Sequence, residues 1–458
     1  MVRSGSPAKR AAVTLLLALV AEGCVASTKQ YDSLRKEAFE PAPSHARAPT
    51  KDSPDRSSRR WRARELSLDE LLEVAEERSP TLVAMRASWQ AAVERYPQVS
   101  ALSDPQIRYA LAPATIGSES STYGQRIELS QRLPWPGKLD LRGQATLSSA
   151  EAAADDFEDA RARLVRAVSE AFYAYQFVHR AIDINHTNQA LLLEFQRIAE
   201  NRYAAGLASK SDALQAEVEH QHLVHRGIAL EREHAVARAR LNTLLNFSPK
   251  AALPPPPTAI PQPKPLPDLA VLERVSLESR PELLALEHAV DARSSEVQLA
   301  HREYLPDFSL SAGYNSLWED PDKRTLVGIA INVPLQLERR RAALSQAQAE
   351  KRRAESKLEE ARARVLLELS EAYDGLVETS HVVDLYRSSI IPAARESLET
   401  ARTGYEVASN DFLTLVATEK ALHLAELTYE QALAQYHQGL ARLAYATGRP
   451  LAELEARQ

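Results

Sequence analysis

One short segment concentrates residue types that bind metal ions. Residues 219–225 read EHQHLVH, and Glu219, His222 and His225 fall on one side of a helix. A zinc-type site needs imidazole and carboxylate groups gathered on a shared face, commonly four ligands in all. The sequence offers no fourth ligand for this set, and the polar face of an ordinary helix explains the same residues. We predict no metal site.

The chain contains no motif typical of catalysis or of cofactor binding. There is no nucleophile–base–acid set and no phosphate-binding loop. Two methionines are too few for a thioether relay of Cu(I). The net charge of −6 leaves no cationic face for nucleic acid, because basic runs such as residues 338–365 are interleaved with Glu. We therefore predict no enzyme activity, no bound cofactor and no nucleic-acid partner.

The only cysteine, Cys24, follows a short export signal. Three basic residues among the first ten precede an apolar run over residues 11–21 that is too short to span a bilayer. We predict that residues 1–23 are a signal peptide and that Cys24 carries an N-terminal lipid. Glu22 departs from the usual lipoprotein pattern, so plain secretion with an incidental thiol is the alternative. Val25, rather than Asp, follows the cysteine, and by resemblance to bacterial lipoproteins this favours sorting to the outer membrane.

Composition divides the rest of the chain into a leader, two repeats and a tail. Residues 24–60 are rich in Pro, Ser and basic residues, which predicts a leader that is flexible or lies along the surface of the protein. Residues 251–268 form a proline-rich linker that suits neither a helix nor a central strand. The repeats occupy residues 61–250 and 269–450, and a short tail covers residues 451–458.

Landmark residues recur in both repeats at a nearly constant offset of 200 to 202. The corresponding landmarks are Pro80 and Pro281, Pro105 and Pro306, Pro134 and Pro334, and Tyr203 with Glu217 and Tyr405 with Glu419. Four landmarks at nearly the same offset indicate an internal duplication.

Long helices account for most of each repeat. Each repeat predicts one opening helix of about 30 residues, over residues 67–98 and 268–303. Two short segments follow, and then a long helical stretch broken once. Apolar and alanine residues spaced three and four apart predict a coiled-coil seam in that stretch. The helix from residue 139 to 203 would be roughly 97 Å long at 1.5 Å per residue.

The short segments predict β-strands over residues 104–114, 122–133, 306–316 and 324–333. In the last of them Val327, Ile329 and Ile331 alternate with small or polar residues, a pattern typical of membrane-spanning strands. A soluble half-buried hairpin would look alike. In lipid, four strands would leave edges without hydrogen-bond partners. A membrane role therefore requires several chains, and three would supply about twelve strands.

Small and polar residues break the long helices once in each repeat, over residues 204–211 and 406–412. In the first break, Gly206 allows a sharp reversal, and Ser209 or Ser211 could cap the returning helix.

The duplicated order helix–strand–strand–helix–helix, the two breaks and the motif ELSQRLPWPGKL (128–139) resemble the TolC family of outer-membrane efflux channels. The resemblance covers residues 65–450, and the motif is most similar to the heavy-metal (CusC- and CzcC-like) branch. It implies a mainly α-helical chain with a membrane β part. Three protomers would form a 12-stranded β-barrel in the outer membrane, continued by a long α-helical barrel in the periplasm.

The resemblance also implies roles for residues at the two turns. The residues that would touch the hairpin of a periplasmic adaptor are Gly206, Leu207, Ala408 and Ser409. Asp212 and Tyr405 correspond to a pair that bonds between neighbouring helix pairs in the closed state.

The acidic constriction of TolC is missing, because Thr414 and Ala417 occupy its positions. Asp411 and Glu419 are nearby carboxylates that could replace it, with Asp411 predicted among the gate residues. A solvated helix face is the alternative.

The implied function is a passive exit duct: a homotrimer in outer-membrane lipid that receives substrate from an adaptor and an inner-membrane pump of the RND type. Heavy-metal cations are the expected cargo, with drug efflux and type I protein secretion left open. A periplasmic adaptor is disfavoured because it typically has one hairpin. A coiled-coil scaffold is disfavoured because it would not need four strands at matching offsets.

Overall fold

The computed structural model describes residues 25–40, 65–117, 124–318, 320–407 and 409–449. The predicted signal peptide, Cys24, Ala408 and the predicted tail lie outside them. The helices before the first strand are α1 (Val25–Phe39), α2 (Leu68–Arg78), α3 (Pro80–Val93) and α4 (Tyr96–Ser100). The first repeat continues with β1 (Gln106–Leu111), β2 (Gln125–Leu133), α5 (Lys138–Ala204) and α6 (Lys210–Leu244). The second repeat contains α7 (Leu269–Ser279), α8 (Pro281–Arg302), β3 (Asp307–Asn315), β4 (Thr325–Asn332), α9 (Leu337–Leu385), α10 (Ile391–Glu406) and α11 (Phe412–Thr447).

These elements form two compact units. The described residues of the first unit are 25–40, 85–117, 124–157, 282–318 and 320–361, and those of the second are 65–84, 158–281, 362–407 and 409–449. The first unit contains the sheet, and the second contains both helical turns.

The two opening helices differ from the prediction, because each is divided. The first is interrupted at Ser79 (φ −66°, ψ 114°) before Pro80, and the second at Arg280 (φ −71°, ψ 119°) before Pro281. A proline ring clashes with a helical residue before it and moves that residue to the extended region. The apolar period continues across both breaks, which is why periodicity alone predicted single helices.

Part of the predicted leader forms helix α1, which packs on the protein and is not a flexible segment. Its Tyr31 ring stacks on Tyr96 at a centroid distance of 4.9 Å, and Arg35 pairs with Glu94 at 2.7 Å. Ala38 is fully buried. These contacts with residues far along the chain stabilise a helix that its own weakly amphipathic sequence did not predict.

The long helices follow the prediction closely. Helix α5 has 67 residues, or about 100 Å of helix at 1.5 Å per residue. In the second repeat, Tyr386–Ile390 forms a π-helical turn between α9 and α10, and Pro392 lies in the first turn of α10. Because proline has no N–H to donate to the carbonyl four residues earlier, the regular helical bonding pattern must change near it.

The four strands form one antiparallel sheet in the order β1-β2-β3-β4. Its register pairs Tyr109 with Ile127, Ile127 with Tyr314, and Tyr314 with Thr325. Since residues paired across strands share a face, this register gathers the alternating apolar residues on one side. That side is widely exposed within the chain: Ile107 is 74% and Val327 is 82% accessible.

The motif ELSQRLPWPGKL joins β2 to α5 through a buried charge cluster. Lys138, which is 2% exposed, donates from its Nζ to an Asp307 Oδ1 at 2.8 Å and to a Glu303 Oε2 at 3.3 Å. Trp135 stacks on Phe308 at 5.6 Å. The first unit is thus held together where strand meets helix. No helix within the described residues is both long and apolar enough to cross a bilayer.

Candidate functional site

The first helical turn reverses the chain through a glycine-dependent cap. Gly206 has φ +69°, and its N–H donates to the Tyr203 carbonyl at 2.9 Å. The Leu207 N–H donates to the Arg202 carbonyl at 2.8 Å. This pair of bonds is the Schellman arrangement, in which a left-handed residue satisfies the last carbonyls of a helix. Leu207 itself is 67% exposed.

The returning helix α6 begins without the predicted serine cap. Ser209 occupies the N-cap position, but its Oγ donates to the Asp212 Oδ1 at 2.6 Å and accepts no backbone N–H. Ser211 lies inside the first helical turn. The serine therefore orients the Asp212 carboxylate and leaves its Oδ2 available for a second hydrogen bond.

The second turn closes differently. The Asp411 carboxylate caps α11 by accepting from the Thr414 N–H at 2.8 Å and from its hydroxyl at 2.5 Å. These bonds lower the pKa of Asp411. The Gly404 carbonyl accepts from the N–H groups of Ser409 and Asn410 at 2.8 and 3.1 Å. Asp411 was predicted among the gate residues, and these bonds to its carboxylate lie at the start of its own helix.

A hydrogen bond joins the two turns. The Tyr405 Oη donates to the Asp212 Oδ2 at 3.2 Å. The tyrosine is 2% exposed, and burial, together with the Asp212 carboxylate, raises the pKa of Tyr405 to about 12. The phenol consequently stays protonated, and remains a donor, over the whole physiological range.

Two residues that the sequence did not single out hold the Tyr405 ring. The Arg202 guanidinium lies over it at 4.5 Å from the centroid, and Phe412 packs edge-on at 5.4 Å. Tyr405 and Phe412 belong to the apolar cluster beside the turns. Their positions next to the breaks were the only signal available, because Arg202 lies about 200 positions from Tyr405 and Phe412 reaches it only across the second turn.

The surface beside this bridge is apolar and open. Leu207, Val407 and Leu413 are each more than half exposed. A cleft between the turns is lined by the bridge residues and by Ser211, Gln215 and Asn410. The turns therefore combine a polar bond inside with apolar side chains outside, as a docking surface requires.

A buried acid lies two helical turns beyond the second break. Glu419 is 2% exposed, and its Oε1 has no hydrogen-bond partner among the described residues. Burial raises the pKa of Glu419 to about 7, aided by the charge of Glu219 and opposed by Lys420. The alternative interpretation of Glu419, as part of a solvated helix face, is therefore wrong.

The first residue of the EHQHLVH segment, Glu219, already forms an ion pair. The Glu219 Oε1 accepts from the Lys420 Nζ at 2.6 Å. Within the described ranges, no three His, Cys, Asp or Glu side chains are grouped so that they could hold a metal ion.

The fold and the two turns define a duplicated helical-hairpin protein with a small antiparallel sheet. A family model described as outer membrane efflux protein matches residues 71–246 and 273–449. The two matched ranges begin 202 residues apart, the offset of the landmark residues, and together cover well over half of the chain. The chain belongs to the outer membrane efflux protein family.

Individual relatives agree with that membership. The cobalt-zinc-cadmium resistance protein CzcC of Cupriavidus metallidurans is 22% identical over 358 residues, 77% of this chain and 82% of CzcC. The outer-membrane channel OprN has a similar fold, with a TM-score of 0.69, 22% identity and coverage of 84% of this chain and 90% of its own. CusC gives 0.70 at 17% identity, covering 84% and 92%.

Proposed function

We propose that this chain is the outer-membrane exit duct of a three-component efflux system, conducting heavy-metal cations passively out of the cell. The family membership carries this proposal, and the relation to a cobalt-zinc-cadmium resistance protein supports the cargo. An adaptor protein in the periplasm and an RND-type pump in the inner membrane supply the substrate and the energy.

Three copies complete the membrane part. The sheet has two edges, β1 and β4, that pair with no other described strand of the chain. Its apolar face is exposed, which lipid would cover. Joining the edge of one protomer to the opposite edge of the next removes both open edges and gives a closed 12-stranded barrel.

The turns serve as the docking tip and the gate. Gly206, Leu207, Ala408 and Ser409 contact the adaptor, and Leu207 supports this role through its exposure. The Tyr405–Asp212 bond holds the hairpins in the closed arrangement. Opening requires that this bond be broken, because it ties the first turn to the second.

Export and lipidation complete the proposal. Residues 1–23 are removed, and the lipid on Cys24 fixes the chain to the outer membrane. A Cys24→Ala variant that still takes up labelled palmitate would contradict this step.

Growth of a deletion strain on a panel of metal ions and drugs tests the cargo. We expect sensitivity to Co, Zn and Cd, restored by the intact gene. Leu207→Ser should restore resistance poorly, whereas Ile228→Ser, which alters an equally exposed apolar residue far from the turns, should restore it fully. Sensitivity to dyes and antibiotics with normal metal tolerance would overturn the metal assignment. Trimer bands on gels confirm that each variant assembles.

A further inference from the structure

A second histidine group, separate from residues 219–225, lies between α5 and α6. His179 and His234 face each other across this hairpin with ring centroids 5.7 Å apart. The Nδ1 of His179 and the Nε2 of His234 are buried, and neither has a hydrogen-bond partner among the described residues. Buried imidazole nitrogens without partners are uncommon, because burying an unsatisfied polar atom destabilises the folded protein.

Aromatic packing explains the ring faces but not these nitrogens. Tyr175 stacks on His234 at 5.1 Å and lies 6.4 Å from His179. Its hydroxyl donates to the Pro254 carbonyl at 3.4 Å, so the donor of the phenol is committed elsewhere. Stacking uses the faces of the imidazole rings and leaves their edge nitrogens unsatisfied.

The ring spacing matches that of two imidazoles on one metal ion. A zinc-type metal lies about 2.1 Å from the ligating nitrogen, so it lies about 3.2 Å from the ring centroid. Two such rings at a tetrahedral angle have centroids about 5.2 Å apart, and a wider angle increases this to the observed 5.7 Å. The observed centroid separation is therefore compatible with both imidazoles binding one ion.

The surroundings of His234 favour the neutral form that binds metals. Burial lowers the pKa of His234, helped by His179 and Arg238 and opposed by Glu231. A neutral ring offers a lone pair, which a protonated ring does not. The Glu231 carboxylate favours a cation nearby and the Arg238 guanidinium opposes it, so we expect moderate rather than very tight binding.

We propose that His179 and His234 form a two-histidine site for a divalent metal ion of the zinc class, with water completing its coordination. Binding would cross-link the two helices of the first hairpin. The proposed metal site is independent of the identity of the cargo, because metal binding is measured on the isolated protein.

Titration of the detergent-solubilised full-length trimer with Zn²⁺, and with Co²⁺ followed by its visible absorption, tests the proposal. We expect about one ion bound per chain, with moderate affinity and a tetrahedral Co²⁺ spectrum. A His179→Ala/His234→Ala double variant should bind at least tenfold more weakly. The matched control, His222→Ala/His225→Ala, should bind like the parent.

Three results would overturn the site: no binding by the parent, unchanged binding by the His179/His234 variant, or loss of binding in the control alone. Because the double variant removes two packed rings, His234→Gln serves as a milder change with the same expected direction. Circular dichroism and trimer gels show whether each variant folds. Failure here would leave the deletion-strain result, and with it the exit-duct proposal, unaffected.

Discussion

The two repeats place the same residues in opposite environments. Tyr203 and its counterpart Tyr405 both precede a helical break, yet Tyr203 is 49% exposed and Tyr405 only 2%. Glu217 is exposed, whereas its counterpart Glu419 is buried. Duplication has preserved the residue types while the surroundings have diverged.

The reason lies in the neighbours of each tyrosine. Phe412 packs on Tyr405, and the residue at the equivalent place in the first repeat is Lys210, which is exposed. Arg202 covers the other side of Tyr405, while its own counterpart is Gly404. One aromatic and one cationic partner therefore decide which copy of the tyrosine becomes the interior bridge. The comparison indicates that the second repeat supplies the buried tyrosine of the bond between the turns, whereas the equivalent tyrosine of the first repeat stays at the surface.

Replacing Glu419 should give the largest difference between the repeats. Its pKa is raised from 4.5 to about 7, so the folded protein binds this proton more tightly than the unfolded chain. The associated stabilisation is complete below pH 4.5 and is lost as the pH rises through about 7. Glu419→Gln should raise the free energy of unfolding at pH 8 by up to about 3 kcal/mol, with little change at pH 4.5.

Urea unfolding of the solubilised trimer at both pH values measures this effect. The control is Glu217→Gln, which changes the exposed counterpart and should leave the pH dependence of stability unaltered. An equal pH slope in the Glu419 variant and the parent would show that this carboxyl does not titrate as its burial requires.

Tyr405→Phe should have the next largest effect. The ring remains packed while its hydrogen bond to the Asp212 carboxylate is lost, a bond worth about 1.5–2 kcal/mol. We expect faster hydrogen exchange at the second turn, residues 404–414. Tyr203→Phe, the matched change in the first repeat, should leave exchange at both turns as it is. Similar acceleration by both variants would remove the distinction between the repeats.

Gly206→Ala tests the first turn. No atom lies within 4 Å of the added methyl group, so the expected cost is conformational, about 1 kcal/mol for a non-glycine residue at φ +69°. Gly375→Ala is the control of opposite sign. It also meets no atom within 4 Å but lies in helix α9, where alanine should stabilise by about 0.5–1 kcal/mol. Chemical denaturation distinguishes the two directions, and destabilisation by both would mean that packing governs these positions.

The smallest contrast concerns the two helix starts. Asp411→Ala removes a carboxylate that accepts two bonds, and we expect a loss of about 1 kcal/mol at the N-terminus of α11. Ser209→Ala should cost only a few tenths of that amount, because its hydroxyl accepts no backbone N–H. Local exchange of Thr414 and Asp212 amides provides the measurement. Equal losses would indicate that Ser209 caps its helix in solution.

Periodicity was sufficient to predict the long helices and the alternating strand residues. Helix α5 extends one residue beyond each predicted end, and every strand was located with ends within about three residues. The divided opening helices escaped prediction because the apolar pattern persists through Ser79 and Arg280. Helix α1 escaped because Tyr31 gains its partner, Tyr96, only in the folded protein.

The site was less accessible to sequence reasoning. Gly206 was the residue that predicted the first turn, since few residues other than glycine adopt its positive φ. The burial of Glu419 and the stacking of Arg202 on Tyr405 depend on contacts between the repeats, and neither leaves a local pattern. Resemblance suggested Asp212 with Tyr405, and the structure brings those two side chains within hydrogen-bond distance.

Conductance of the purified protein in planar lipid bilayers tests the central claim most directly, because the proposed function is that of a channel held closed by the bond between its two turns. We predict rare, small openings for the parent, and frequent openings of larger conductance for Tyr405→Phe but not for Tyr203→Phe. No conductance in the parent or in either variant would contradict this account. Full conductance of the parent, with Tyr405 intact, would contradict it as well.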